Sequence, residues 1–358
     1  MEKKQKKEYA KIIVLSVVML VLAVSMCFTT IISKGIKNAL YDAGFKVSAD
    51  DLVVHFINVG QGDAIALRLP NEQVVLIDAG PKDSQNYLVE YLKDSVLKSN
   101  NKLIIDYVIL THPDTDHSGG MSAVFGEFEI KNFFRPNIAS VSENWQEFAM
   151  ETSSLEYDEF IKISKVEYGL STKVINQKYE FNLGKVQVQI FPPVDIYSTT
   201  NEMSPVIKVS YLNKSFLFTG DIQGDSETDM IDEYGSYLDA DVLKVAHHGS
   251  KDSTSEQFIS VVTPKYAIIC VGNNSYGHPH LSTITRLQNA GAKVMTTERD
   301  SVVFVCGEEM FGVLKDKVHS FEFVDWWVIA LFIELILAYN LTKLICKAIK
   351  LTRQNIDY

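Results

Sequence analysis

Eight histidines occur in the chain, and six of them fall directly after apolar, strand-like runs, beside acids or glycines. After the run DYVIL comes THPDTDHSGG, which sets His112, Asp114, Asp116 and His117 within six residues. Imidazoles and carboxylates at alternate positions of an extended turn point into one cavity, and the adjacent Asp116 and His117 reach a second cation position; donors of these two types suit a divalent ion. The run FLFTGD closes with Gly220 and Asp221, a carboxylate placed to bridge two ions. VAHHGS ends another run with His247 and His248, and GNNSYGHPH supplies His278 and His280 after KYAIICVG. One such turn alone reads as a solvated turn before a helix. Four in order point to a metal centre, and two bound ions would acidify a water and polarise a phosphoryl or carbonyl oxygen.

Strand ends must hold these residues. Short β-rich runs (LVVHFIN, AIALRLP, QVVLIDAG) alternate with the turn residues VGQGD and PNE, and EFNLGKVQVQIF and SPVIKVSYLNKSFLFTG read as paired strands. DYVILT, DVLKVA and KYAIICVG read as single strands, with helical patterns predicted near 85–98, 226–233, 255–261 and 282–290. Hairpin-linked strands interleaved with helices predict an α/β chain in which two sheets pack together with helices outside. Residues 142–165, with Trp145, Phe148, Tyr157 and Phe160, read as a packed insertion. Cys270 and Cys306 lie in apolar runs and read as core residues.

With 46% hydrophobic and 22% charged residues the chain has the balance of a globular protein, which excludes wholesale disorder and collagen-like repeats. The net charge of -11 is unevenly spread: residues 1–33 and 343–358 each carry +3, which leaves -17 on 34–342. Such a field attracts cations and repels nucleic acid at long range. No stripe of Lys and Arg with interleaved aromatics marks a groove that would track a nucleic-acid strand.

Residues 12–32 carry no charge, and residues 326–341 form a second apolar run edged by Trp326, Trp327 and Lys343, Lys347, Lys350 and Arg353. Lengths, aromatic edges and lysine placement predict two membrane spans. The expected organisation is a cytoplasmic basic tail (1–11), a transmembrane anchor (12–32), a tether (33–51), a catalytic domain (52–318), a second transmembrane helix (325–345) and a cytoplasmic basic tail (346–358). The expected localisation is the cell membrane, with the catalytic domain extracellular and both termini cytoplasmic.

The segments HFINVGQGDAIALRLPNEQVVLIDAG, ILTHPDTDHSGG, FLFTGD and DVLKVAHHGS are similar in wording and order to the metallohydrolase domain of ComEC-type competence proteins, within the metallo-β-lactamase superfamily. The resemblance covers roughly residues 52–312. It implies an αββα metallo-β-lactamase sandwich with its metal site at the sheet edge, flanked here by the N- and C-terminal transmembrane helices. It also implies His112, Asp114, Asp116, His117, Asp221 and His247 as metal ligands, and Asp78 as a structural acid. Asp116, His248 and His278 carry the catalytic expectations, the two histidines as supporting or proton-transfer groups. His55, His280 and His319 are expected to be structural. The Asn and Ser of NEMS, Asn201 and Ser204, fall where similar proteins fix a loop near the metals.

Two departures accompany the resemblance. Asp114 stands where the broader superfamily usually has a histidine, and no histidine occurs between His117 and His247. His112, Asp114 and Asp221 would then hold the first ion, and an oxygen-rich set favours manganese relative to an all-imidazole one. The expected cofactors are two divalent metal ions, zinc or manganese, or a single one. The expected function is a membrane-anchored, outward-facing metal-dependent hydrolase, a phosphodiesterase or nuclease of the ComEC-like type that uses a metal-bridged hydroxide. Its expected partners are the membrane and a phosphodiester substrate, single-stranded DNA among the candidates. The alternatives are a hydrolase of a carbonyl substrate, lactone or β-lactam, and a non-catalytic membrane-complex subunit.

Overall fold

The apolar runs of the sequence are strands, and they build two sheets. The computed structural model describes residues 47–97, 103–136, 171–308 and 310–314. In the first sheet the order is β15 (Phe311–Val313), β14 (Val302–Cys306), β1 (Leu52–Phe56), β2 (Ile65–Arg68), β3 (Val74–Ile77), β4 (Ile104–Ile109), β5 (Glu129–Pro136) and β6 (Ser171–Ile175). β1 is antiparallel to β14 and β2, whereas β3 to β6 run parallel. The second sheet runs β13 (Lys293–Thr296), β12 (Tyr266–Ile269), β11 (Val242–Lys244), β10 (Lys214–Phe218), β9 (Val206–Tyr211), β8 (Val186–Phe191), β7 (Tyr179–Leu183). Its β10 to β13 are parallel and the rest antiparallel.

Helices α1 (Gln85–Tyr91), α2 (Thr115–Ser118), α3 (Met121–Glu127), α4 (Gly224–Tyr234), α5 (Glu256–Val262) and α6 (Leu281–Asn289) complete the layers. Val54, Phe56, Phe134, Phe216, Phe218 and Phe304 fill the space between the sheets. Leu88, Met121 and Val124 bring helices onto the outer face of the first sheet, and Met230, Phe258, Ile259 and Leu287 do so on the second. The result is an αββα sandwich. Because both faces of each sheet are covered, the central strands read as continuous apolar runs rather than as alternating ones. Each fully buried Phe or Leu stabilises the fold by about 1.5–3 kcal/mol.

Among the described residues no helix is long and apolar enough to cross a membrane. The longest, α4, has 11 residues and reaches roughly 16 Å, about half of a bilayer core. This corrects the expected flanking of the sandwich by transmembrane helices. With it goes the anchored, outward-facing placement at a cell membrane with cytoplasmic tails, and the membrane as a partner. The runs on which that expectation rested, 12–32 and 326–341, lie outside the described residues, as does the insertion 142–165.

Three loops at one sheet edge are zipped together by their backbones. The Asp63 N–H donates to the Asp116 carbonyl at 3.1 Å, Gly80 N–H to Asp63 O at 2.7 Å and Ala79 N–H to His117 O at 2.7 Å. Gly62 makes this approach feasible: its φ is +141°, and a Cβ there would sit 2.2 Å from the Asp116 carbonyl oxygen. Gly62→Ala is therefore expected to cost about 1–3 kcal/mol and to displace the Asp116 turn. A thermal melt should read this as a drop of several degrees together with weakened divalent-ion binding, and unchanged values in both would show that the loop accommodates the methyl group.

Candidate metal centre

The carboxyl ends of β3, β4, β10, β11 and β12 meet at this edge, which is where the acids and histidines of the sequence motifs emerge. Asp78, just after β3, takes a left-handed conformation with φ 58° and is fully buried. Its carboxylate accepts from the Thr111 N–H at 2.8 Å, the Thr111 hydroxyl at 2.7 Å and His117 Nδ1 at 2.8 Å. That last bond assigns the tautomer: Nδ1 carries the proton and Nε2 is left free, the arrangement in which a carboxylate orients a metal-binding imidazole.

His248 is arranged in the same way from the opposite sheet. Its Nδ1 donates to the Cys270 carbonyl at 2.8 Å, so its Nε2 also faces the centre, 3.3 Å from His117 Nε2. Around them stand Asp116 Oδ2, 3.2 Å from His248 Nε2, and Asp221, with Oδ2 3.4 Å from His248 Nε2 and Oδ1 3.4 Å from His117 Nε2. Two imidazole lone pairs face each other among carboxylate oxygens. They repel unless a proton or a metal ion lies between them, and the site therefore fits a cation.

A second donor group adjoins the first. The Thr111 hydroxyl proton goes to Asp78, so its oxygen accepts from His112 Nδ1 at 3.1 Å. His112 Nε2 is buried without a hydrogen-bond partner and lies 3.9 Å from both Asp114 Oδ2 and Asp221 Oδ2. Thr200 holds Asp114 through Oδ1 at 2.7 Å, and Ser204 Oγ accepts the Asp221 N–H at 3.2 Å. Two buried groups thus meet the spacing for a divalent ion: His112 with His117 and Asp221, and Asp63 with His117 and His248.

The remaining predicted residues sit differently. His247 turns away from its neighbour: Nδ1 bonds Gln223 Oε1 at 2.6 Å, and Nε2 lies 3.3 Å from Asn201 Nδ2 and 3.9 Å from Asp221 Oδ2. His278 packs edge-on to the His247 ring, 5.3 Å between centroids, at the half-buried rim. It touches none of the carboxylates. His280 caps α6, accepting the Ser282 N–H, and His55 lies 3.1 Å from the Tyr91 hydroxyl. His319 lies outside the described residues.

Two contributors were missing from the sequence reading. Asp63, from VGQGD, is buried and contacts His117, His248 and Lys244. Lys244, the last residue of β11, is fully buried: its ammonium pairs with Asp63 and donates to the Gly220 carbonyl at 2.8 Å and to Asp221 Oδ1 at 3.3 Å. The signals were a second Gly-Asp turn after a strand, and a lysine inside a run that is otherwise apolar.

Charge controls this pocket. Burial alone would raise the Asp221 carboxyl, but His117, His248 and Lys244 outweigh it and hold the group well below its ordinary value. Burial likewise opposes a charged His248, yet Asp221 and the bonds to Asp116 and Asp63 push it up to about 10; burial opposes a charged His117 too, but Asp221, Asp63 and Asp78 raise it well above its ordinary value. Burial, aided by the charge on His117, lowers His112. Against the carboxylates of Asp63, Asp78, Asp114, Asp116 and Asp221 stands the one ammonium of Lys244, and two divalent ions bring that set to neutrality.

A sequence model of the family described as Metallo-beta-lactamase superfamily matches residues 57–273. The chain is 29% identical over 263 residues to ComE operon protein 3 of Bacillus subtilis (strain 168), covering 70% of this chain and 32% of that protein. It is 27% identical over 273 residues to Recombination protein 2 of Haemophilus influenzae, covering 76% and 29%. The chain thus spans about a third of the length of these relatives. The crystal structure of the metallo-beta-lactamase fold protein YhfI from Bacillus subtilis aligns with a TM-score of 0.44 at 11% identity, over 72% of this chain and 99% of that one.

The His248 shift gives a pH dependence with a definite sign. An imidazole raised from an ordinary 6.5 to about 10 contributes stability that is complete below pH 6.5 and is lost as pH climbs to about 10. The melting temperature of chelator-treated protein should fall across that window. Zinc affinity should rise over the same window, by up to about tenfold per pH unit for each proton displaced. A flat melting profile would remove a protonated His248 from the account.

Proposed function

We propose, from the premise that this chain belongs to the metallo-beta-lactamase superfamily and is a metal-dependent hydrolase, that it cleaves phosphodiesters in the manner of the hydrolase domain of ComEC-type competence proteins. The observation that carries this reading is the donor set: Asp114, Asp116 and Asp221 converge with His112, His117 and His248, so half of the donors are hard carboxylates. Oxygen-rich sites select hard divalent ions, and paired ions of that kind serve in-line displacement at phosphorus. A relative that bears the name Recombination protein 2 adds support, since recombination acts on nucleic-acid diesters.

Two divalent ions, zinc or manganese, would supply Lewis acidity toward a phosphoryl oxygen and lower the pKa of water held at the centre. His112 with Asp114 would hold one, Asp116 with His117 and His248 the other, and Asp221 both. The protein's own groups do the rest. Asp116 belongs to the donor set while its side chain is 31% exposed, which suits it to orient the attacking water and accept its hydrogen bond. His248, with both nitrogens engaged inside the protein, serves as a ligand rather than as a proton carrier. His278 stands at the half-buried rim, its pKa lowered by burial and by its neighbour His247, and would pass a proton taken up from solvent water to the departing oxygen.

These roles separate experimentally. Asp221→Ala should lower hydrolysis of bis-p-nitrophenyl phosphate by more than about 100-fold and remove bound metal as well. His278→Gln should leave that substrate nearly untouched, because p-nitrophenolate departs without a proton. It should slow an unactivated deoxynucleotide diester about 10²–10⁴-fold. Turnover of nitrocefin or a lactone in place of either diester would reject the phosphodiester reading.

A further inference from the structure

A lysine at the end of a buried strand is costly unless each of its N–H bonds is satisfied. Val242, Leu243 and Lys244 of β11 are all buried, and Lys244 has no solvent exposure. Its ammonium meets three acceptors: Asp63 Oδ2, the Gly220 carbonyl and Asp221 Oδ1. Among the described residues it is the only Lys or Arg paired with Asp63 or Asp221.

That placement bears on where ions can go. Asp63, His117 and His248 meet the spacing for a cation, yet the Nδ1 of His117 is committed to Asp78, the Nδ1 of His248 to the Cys270 carbonyl, and Asp63 Oδ2 to Lys244, which leaves only Asp63 Oδ1 without a hydrogen bond. The inner pole of the centre is thus already taken by an ammonium. On the outer side, Lys244 holds Asp221 Oδ1, which also lies 3.4 Å from His117 Nε2, and Oδ2 faces His248 at 3.4 Å and His112 and His247 at 3.9 Å.

We propose that Lys244 is a positioning residue and a built-in cation of the metal centre: it fixes Asp221 through Oδ1 so that Oδ2 is turned toward the divalent ions, and it occupies Asp63 Oδ2. The proposal rests on metal binding at this site and not on the identity of the substrate. If Lys244 merely balances the charge of Asp63, removing both groups together should leave metal binding intact. If it positions Asp221, the loss should persist.

The test compares the full-length chain with the double variant Asp63→Asn/Lys244→Met, which deletes equal and opposite buried charges and so spares the fold the isolated carboxylate that Lys244→Met alone would leave. The double variant should melt near the wild type, yet bind manganese and zinc about 10- to 100-fold more weakly. The absorption spectrum of its cobalt-substituted form should change as the Asp221 geometry relaxes. Wild-type affinity and spectrum in that variant would overturn the proposal. A second measurement needs no variant: in ¹⁵N-lysine-labelled wild-type protein, a slowly exchanging Lys244 ammonium resonance should be present both after chelation and after zinc loading. Its disappearance on loading would mean that the ammonium leaves Asp221 when ions bind, and would overturn the proposal whether or not the double variant folds. A wild-type chain that binds neither ion would overturn the metal reading and this proposal together.

Discussion

Buried negative charge is the constraint on which the rest of this sheet edge depends. Asp63, Asp78 and Asp221 are 1%, 0% and 2% exposed, and each ionised carboxylate taken out of water costs several kcal/mol before compensation. Three different compensations are in place. Asp78 is surrounded by donors from Thr111 and His117, Asp63 is paired with Lys244, and Asp221 has the Lys244 ammonium and His117 at one oxygen and His248 at the other. Stability and metal binding are therefore one question here, because the cations that make the acids tolerable are also what the chemistry needs.

Strand ends make such crowding geometrically feasible. Parallel strands deliver their carboxyl ends to one edge, and short turns then place side chains without long loops. The backbone is not relaxed in doing so: Asp78, His247 and His248 all have positive φ, at 58°, 49° and 52°. Left-handed conformations in residues other than glycine cost of order 1–3 kcal/mol each and persist only where neighbours fix them. Neighbours do so here. Ser253 donates to the Ala246 carbonyl at 2.8 Å, Ser250 N–H to His247 O at 2.8 Å and His280 N–H to Gly249 O at 2.9 Å. Two successive left-handed residues send adjacent imidazoles to different places, His248 into the centre and His247 toward Gln223.

The same geometry explains how much of the centre was legible in the sequence. The turn from His112 to His117 could be read because its donors follow directly on an apolar strand, and Asp221 because Gly220 before it permits the sharp exit. The two sheets and the order of the helices followed from turn residues and hydrophobic runs. Apportioning His247 and His248 could not be read, since an extended chain alternates its side chains and the left-handed pair does not. Asp63 looked like a turn residue, and Lys244 was assigned no role at the centre, because pairing across two sheets leaves no trace in local sequence. Hydropathy at 12–32 and 326–341 spoke for a membrane, and the described fold contains no helix that carries that reading.

Net charge and local charge then act at different ranges. Residues 34–342 carry -17, which opposes the approach of a long polyanion, but at physiological ionic strength exposed charges are screened beyond about 8 Å. Within the centre the relevant sum is that of five carboxylates, one ammonium and the divalent ions that the clusters would hold. Buried interactions of this kind are screened far less than surface ones, so they decide which cations the centre can hold. The acid excess bears on how fast any polyanion would reach the sheet edge and on the salt dependence of such an encounter. It leaves the local charge to the donor set, in which the balance of carboxylate to imidazole, and the buried ammonium of Lys244, set how much positive charge a bound cation would keep.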